Sequence, residues 1–172
     1  KKEIMTSKTL KSILWYVLLL LAQVLVLNHI HLFQCATPLL YIYMVIGIRR
    51  NIPKWLSLTA AFITGLIVDI FANTPGVAAA SMTFIALIQP YLLLLFMNRE
   101  SPEDLKPTLR TLGFARFIYF ALPLILIFCL LFFTLETFNF FNWMRWLECI
   151  GGSTLLTLIL ILAIENIRKN NG

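Results

Sequence analysis

The chain has 172 residues, of which 60% are apolar and 13% charged, with a formal net charge of +6. Soluble domains average about 45–50% apolar and about 25% charged residues, and one of this size still exposes about a third of its unfolded surface. The composition therefore excludes a soluble globular domain and makes lipid the solvent, with room for one helical bundle and no second folded domain. The basic residues do not point to nucleic acid, because they flank apolar runs, the pattern of a membrane surface.

A membrane-crossing helix needs about 20 apolar residues. In chain order the expected spans are residues 12–28, 36–50, 54–72, 76–97, 111–135 and 143–165. They form an all-α, six-helix integral membrane bundle in a single domain. The first run lacks a small-residue cleavage site and is followed by further membrane segments, so it is expected to remain as a helix rather than leave as a signal peptide. The second span is short. Thr37-Pro38 is the expected N-cap and first helical position, and a helix from Pro38 to Asn51 covers about 21 Å of the roughly 30 Å hydrocarbon layer. Residues Asn28 to Ala36 are expected to fill the remainder as an irregular or re-entrant segment, leaving an outward-facing depression. Asn73-Thr74-Pro75 separates the third and fourth runs, which predicts a tight antiparallel hairpin, with Thr74-Pro75 opening its second helix. Ser101-Pro102-Glu103-Asp104 carries a helix-start signature that Pro107 ends, either an ordered loop or a docking helix for a cytoplasmic partner.

Lysine and arginine orient these spans. Lys1, Lys2, Lys8 and Lys11 precede the first, and Arg49, Arg50 and Lys54 follow the second. Arg99, Lys106 and Arg110 follow the fourth, and Arg168 and Lys169 end the sixth. Of the 14 basic residues only Arg116 and Arg145 lie elsewhere. Under the positive-inside rule both termini face the cytoplasm. Trp15 and Trp55 at the inner end, with Trp143 and Trp146 at the outer end, supply interfacial belts. Glu136, Arg145 and Glu148 are close enough in sequence to pair at the outer surface.

Asp69 is the chemical anomaly, a carboxylate about one turn inside the third span. On insertion scales such a group costs roughly 2.5–3.5 kcal/mol at mid-membrane and less near an end. Gly65, Asp69 and Asn73 are spaced four apart and share one helix face. Gly65 permits close approach of a neighbouring backbone, and Asn73 offers amide donors. Two roles for Asp69 stay open: a charge that engages a ligand or partner, and a structural carboxylate capping the next helix near Pro75-Gly76. The fourth span opens with Gly76, Ala78, Ala79, Ala80, Ser81 and Thr83, small residues that allow close helix contact within the chain or with a partner. Gln89 can hydrogen-bond across to a neighbour, and Pro90 beside it removes a backbone bond.

Cys35, Cys129 and Cys149 lack metal-type spacing, and His29 and His31 lack further ligands, so neither metal nor cofactor is expected. No phosphate-binding loop, metalloprotease motif or nucleophile elbow occurs, and catalysis is not expected.

The stretch from Gly65 to Gly76, with a glycine, an acid four residues later and a Pro-Gly turn into small residues, resembles the signature of the rod shape-determining protein MreD family. Ala36-Thr37-Pro38-Leu39-Leu40-Tyr41-Ile42-Tyr43 is similar to that family's second-helix opening, apart from Leu39, where many relatives carry a polar residue. Length, six spans and basic cytoplasmic ends extend the resemblance over essentially the whole chain. It implies a non-catalytic scaffold subunit of the cell-elongation complex in a bacterial inner membrane, which helps position side-wall peptidoglycan synthesis. The implied partners are MreC and, indirectly, MreB, RodA and a penicillin-binding transpeptidase, with candidate pocket or partner-binding residues Thr37, Pro38, Gly65, Asp69, Asn73, Thr74, Pro75, Gly76 and Gln89. The family's bundle is also similar to the substrate-binding subunits of energy-coupling-factor transporters. A vitamin-type binding subunit is therefore the alternative, although the first span holds only Ala22 where those subunits carry an Ala-xxx-Ala coupling pair.

Overall fold

The structure is a computed structural model that describes residues 14, 16–23, 37–96, 105–137 and 143–170. The described part of the first span, residues 16–23, is helical (α1). It is followed by α2 (Ile42–Ile46), α3 (Lys54–Ala72), α4 (Val77–Phe96), α5 (Leu109–Leu112), α6 (Phe114–Thr137) and α7 (Trp143–Asn170). All the described secondary structure is helical. Four helices, α3, α4, α6 and α7, are long and apolar enough to cross a membrane. At 1.5 Å per residue the 19 residues of α3 extend about 28 Å, close to the thickness of the hydrocarbon layer.

The distribution of side chains is that of a protein dissolved in lipid. Ile70, Phe71, Leu95, Tyr119, Leu155 and Ile159 project outward, while Ser57, Thr64, Asp69, Ser81, Gln89, Ser153, Thr157 and Glu165 are buried. A soluble fold exposes its charges and buries its aliphatics. Here, among the described residues, all of these buried polar side chains but Ser57 find partners inside the bundle, as a solvent without hydrogen-bonding capacity requires. These features define a multi-pass membrane protein.

Helix α3 packs most extensively on α4, α4 on α6, and α6 on α7. The short α2 touches α3, α4 and α6, and Leu39 to Ile46 are almost entirely buried apart from Met44. The second expected span, 36–50, therefore differs from a spanning helix: five residues form α2, and turns and extended chain make up the rest of 37–53. The helix does not open at Thr37-Pro38, because side chains of neighbouring helices take the backbone groups that a helical ladder would otherwise satisfy. Gln23 of α1 donates through Nε2 to the Pro38 carbonyl at 2.8 Å and accepts the Leu40 N–H at 2.7 Å. From α7, Ser153 Oγ accepts the Thr37 N–H and Thr157 Oγ1 the Leu39 N–H, both at 3.1 Å. Irregular backbone survives at membrane depth only when protein satisfies it in this way. The expected re-entrant segment 28–36, its depression, the histidine pair, Cys35 and the 101–104 helix start lie outside the described residues.

The basic segments meet at one end of the bundle. The Arg50 N–H donates to the Leu105 carbonyl at 3.4 Å, and Arg49 and Arg168 both lie within electrostatic range of Lys106. This is the end at which α3 starts and α4 and α7 finish. The hairpin turn at Asn73–Gly76 and the Trp143–Trp146 pair occupy the opposite end.

Candidate functional site

Two buried carboxylates organise the two ends of the bundle. Asp69, 5% exposed, is held in the last turn of α3. Its Oδ1 accepts the Ala78 N–H at 2.8 Å and the Thr74 hydroxyl at 2.9 Å, and its Oδ2 accepts the Ala79 N–H at 2.9 Å. The first N–H groups of a helix have no partner within it, and its N-terminus carries partial positive charge. The carboxylate of α3 answers both needs of α4, and so acts as a cap delivered from the preceding helix.

Local sequence builds this clamp. Asn73 ends α3 in the left-handed conformation (φ 57°), its N–H bonding to the Asp69 carbonyl. Gly76 turns the chain at φ 83°, a region open to glycine and strained for other residues. Gly65, one turn before Asp69, faces the start of α4 so closely that a Cβ there would stand 2.5 Å from Ala79 Cα and 2.7 Å from Ala78 O. The glycine lets the two backbones meet, and their meeting brings Asp69 to the N–H groups. Asn73, which offered amide donors, is exposed; the donors to Asp69 are the N–H groups at the start of α4 and the Thr74 hydroxyl, which the left-handed C-cap leaves beneath the carboxylate. Thr74 is thus a carboxylate donor rather than the cap of α4, and Pro75 sits exposed in the turn. The small residues that contact α3 are Ala78 and Ala79, while Gly76 and Ala80 lie exposed.

At the basic end, Glu165 of α7, 3% exposed, accepts the Tyr43 hydroxyl of α2 through Oε1. Its Oε2 accepts the Leu109 N–H at the start of α5 at 3.1 Å. Arg168 Nη1 donates to the same Tyr43 oxygen at 3.2 Å, so the hydroxyl bridges carboxylate and guanidinium. Tyr16 packs beside Tyr43 with ring centroids 6.3 Å apart, and the Lys106 ammonium lies 5.1 Å from the centre of the Tyr16 ring. Burial first, then Arg168 and Arg49, push Lys106 down to about 8, against the smaller opposing pull of Glu165. This cluster ties α1, α2, α5 and α7 together.

Of the remaining residues singled out in the sequence, Gln89 donates from α4 to the Ile48 carbonyl at 3.3 Å, across to the segment after α2 as expected. Thr37 and Pro38 belong to the buried strand of chain bound by Gln23, Ser153 and Thr157. The structure does not bring them together with the Asp69 clamp by any hydrogen bond among the described residues.

Glu165, Tyr43, Gln23, Ser153 and Thr157 were not picked out by sequence reasoning. A signal for three of them was present: Ser153, Thr157 and Glu165, with Ile161, are spaced four apart and form one buried face of α7. Among the described residues no group of three or more His, Cys, Asp or Glu side chains could hold a metal ion. No protein-family model, curated protein or solved structure matches the chain.

Proposed function

We propose that this chain is a non-catalytic scaffold subunit of a bacterial cell-elongation complex, of the MreD kind, which binds MreC within the inner membrane and holds side-wall peptidoglycan synthesis in register. The observation that carries the reading is the hairpin: the residues on which the resemblance rests, Gly65, Asp69, Thr74 and Gly76, all serve one interlocked turn. A motif of that kind specifies a rigid shape rather than a reaction. The chemistry of the buried groups supports the same reading, since both carboxylates bind backbone N–H and hydroxyl groups and tie helices together. In this proposal the basic end faces the cytoplasm, both termini lie there, and MreB, RodA and a penicillin-binding transpeptidase associate through the assembled complex.

The test is purification of the tagged full chain from its native membrane in mild detergent, followed by protein and small-molecule mass spectrometry. Co-purification of MreC in near-stoichiometric amount is expected. A chain that instead carries a vitamin-type molecule, with no MreC, would replace the scaffold reading by the transporter-subunit reading.

A further inference from the structure

A second feature at the basic end is independent of the proposed partners. Between the α2–α3 connection and the facing ends of α3 and α4 lies a cavity of about 80 Å³. Arg49, Arg50 and Lys54 line it, and among the described residues no acidic one does. The Lys54 ammonium is held by a neutral group, 3.1 Å from the Tyr91 hydroxyl and 4.9 Å from the centre of its ring.

The deep wall of the cavity is polar and buried. Ser57 is 7% exposed, and its hydroxyl has no hydrogen-bond partner among the described residues. Ser57 lines the cavity, where its hydroxyl can serve a ligand as donor or acceptor. Gln89, 2% exposed, lines the same wall. The first turn of α3 forms another side, and its N-cap residue is Pro53, which gives no side-chain cap. The positive end of a 19-residue helix therefore adds to the field of the cations. The remaining wall is apolar. Leu93 is buried, and Leu94 is about half exposed and continuous with the outer, lipid-facing surface of α4.

We propose that this cavity binds the phosphodiester headgroup of an anionic phospholipid, with Arg50 and Lys54 as charge partners and the Ser57 hydroxyl as a donor. The acyl chains then run along Leu94 into the bilayer. Basic pockets between membrane helices are suited to such headgroups, and the apolar wall selects a lipid over a free anion.

The experiment is native mass spectrometry of the full chain in non-ionic detergent, titrated separately with dioleoyl phosphatidylglycerol and dioleoyl phosphatidylcholine. Phosphatidylglycerol adducts are expected at concentrations at least tenfold lower, undiminished by 10 mM inorganic phosphate. Each basic residue near a membrane surface contributes about a fivefold preference, so Arg50→Gln/Lys54→Gln should abolish the discrimination, while Arg145→Gln at the opposite end should leave it intact. Ser57→Ala, a deletion of one oxygen, should weaken phosphatidylglycerol binding several-fold. It decides the matter should the double variant fail to elute as a helical, monodisperse protein. Equal retention of the two lipids, discrimination that survives both the double variant and Ser57→Ala, or an equal loss in Arg145→Gln would overturn the proposal. Displacement of phosphatidylglycerol by inorganic phosphate would overturn it in favour of a soluble anion.

Discussion

Replacement of Gly65 by alanine probes the hairpin clamp at its tightest point. In an unconstrained helix the change stabilises by about 1 kcal/mol. Here the new methyl would stand 2.5 Å from Ala79 Cα and 2.7 Å from both Ala78 O and Ala79 N, against ordinary contacts of 3.4–4 Å. All three obstacles are backbone, so no rotamer change relieves them and α3 must move away from α4 by about 1 Å. Such overpacking costs about 1–3 kcal/mol. The same displacement, one turn from Asp69, stretches its 2.8 and 2.9 Å bonds to the Ala78 and Ala79 N–H groups beyond hydrogen-bonding distance. Each buried N–H so released costs about 1–3 kcal/mol. Less the propensity gain, the net loss is at least about 2 kcal/mol, equivalent to a fall of roughly 4–8 °C or more in the unfolding midpoint for a chain of this length. Gly151→Ala is the control, because a Cβ there meets nothing within 4 Å, and it should be neutral or slightly stabilising. Thermal unfolding of the purified variants in one detergent, followed by tryptophan fluorescence, makes the comparison. A Gly65→Ala midpoint equal to that of wild type would refute the close-approach argument.

Three further outcomes are expected. Asp69→Asn keeps one acceptor for α4 and should lose about 1–2 kcal/mol, whereas Asp69→Leu strands both N–H groups and should lose about 3–5 kcal/mol; normal accumulation of both variants, with loss of complex formation, would show that the charge serves a partner instead. Glu165→Ala removes the acceptor of the Tyr43 hydroxyl and the Leu109 N–H, and a double-mutant cycle with Tyr43→Phe should give a coupling of about 1 kcal/mol or more; additive losses would remove the pair from the account. Lys106 has its pKa lowered from 10.5 to about 8 in the folded state, so the unfolded chain binds the extra proton between those values and stability should rise with pH across that window. The penalty is fully present below pH 8 and gone above 10.5, and Lys106→Met should lose this contribution, so that the wild-type-minus-variant difference in stability rises across the window; a difference independent of pH would contradict the burial of this ammonium.

The parts of this architecture that were legible in the sequence are those set by local chain order. Gly65, Asp69, Thr74 and Gly76 lie within twelve consecutive residues, so a tight turn and helix periodicity suffice to bring them together. The asymmetry of lysine and arginine likewise needs only the alternation of spans, and the structure gathers Arg49, Lys106 and Arg168 at one end. The basic-end cluster and the support of the interior segment were not legible, because Tyr43 and Glu165 are 122 residues apart and Thr37 and Ser153 are 116 apart. Only packing of α7 against the interior segment makes them neighbours. The same packing explains why Thr37-Pro38 failed to open a helix: a local cap signal was outcompeted by donors and acceptors arriving from α1 and α7. Gln23, isolated in an apolar run, carried no information about which backbone group it would serve.

Controlled depletion of the chain in the organism that encodes it, with cell shape and vitamin uptake recorded in the same cultures, tests the scaffold proposal most directly. The account predicts that rod-shaped cells become round as the protein falls, that uptake is unchanged, and that the wild-type chain restores the rods while Gly65→Ala does so poorly. Cells that keep their rod shape and lose vitamin uptake would contradict it.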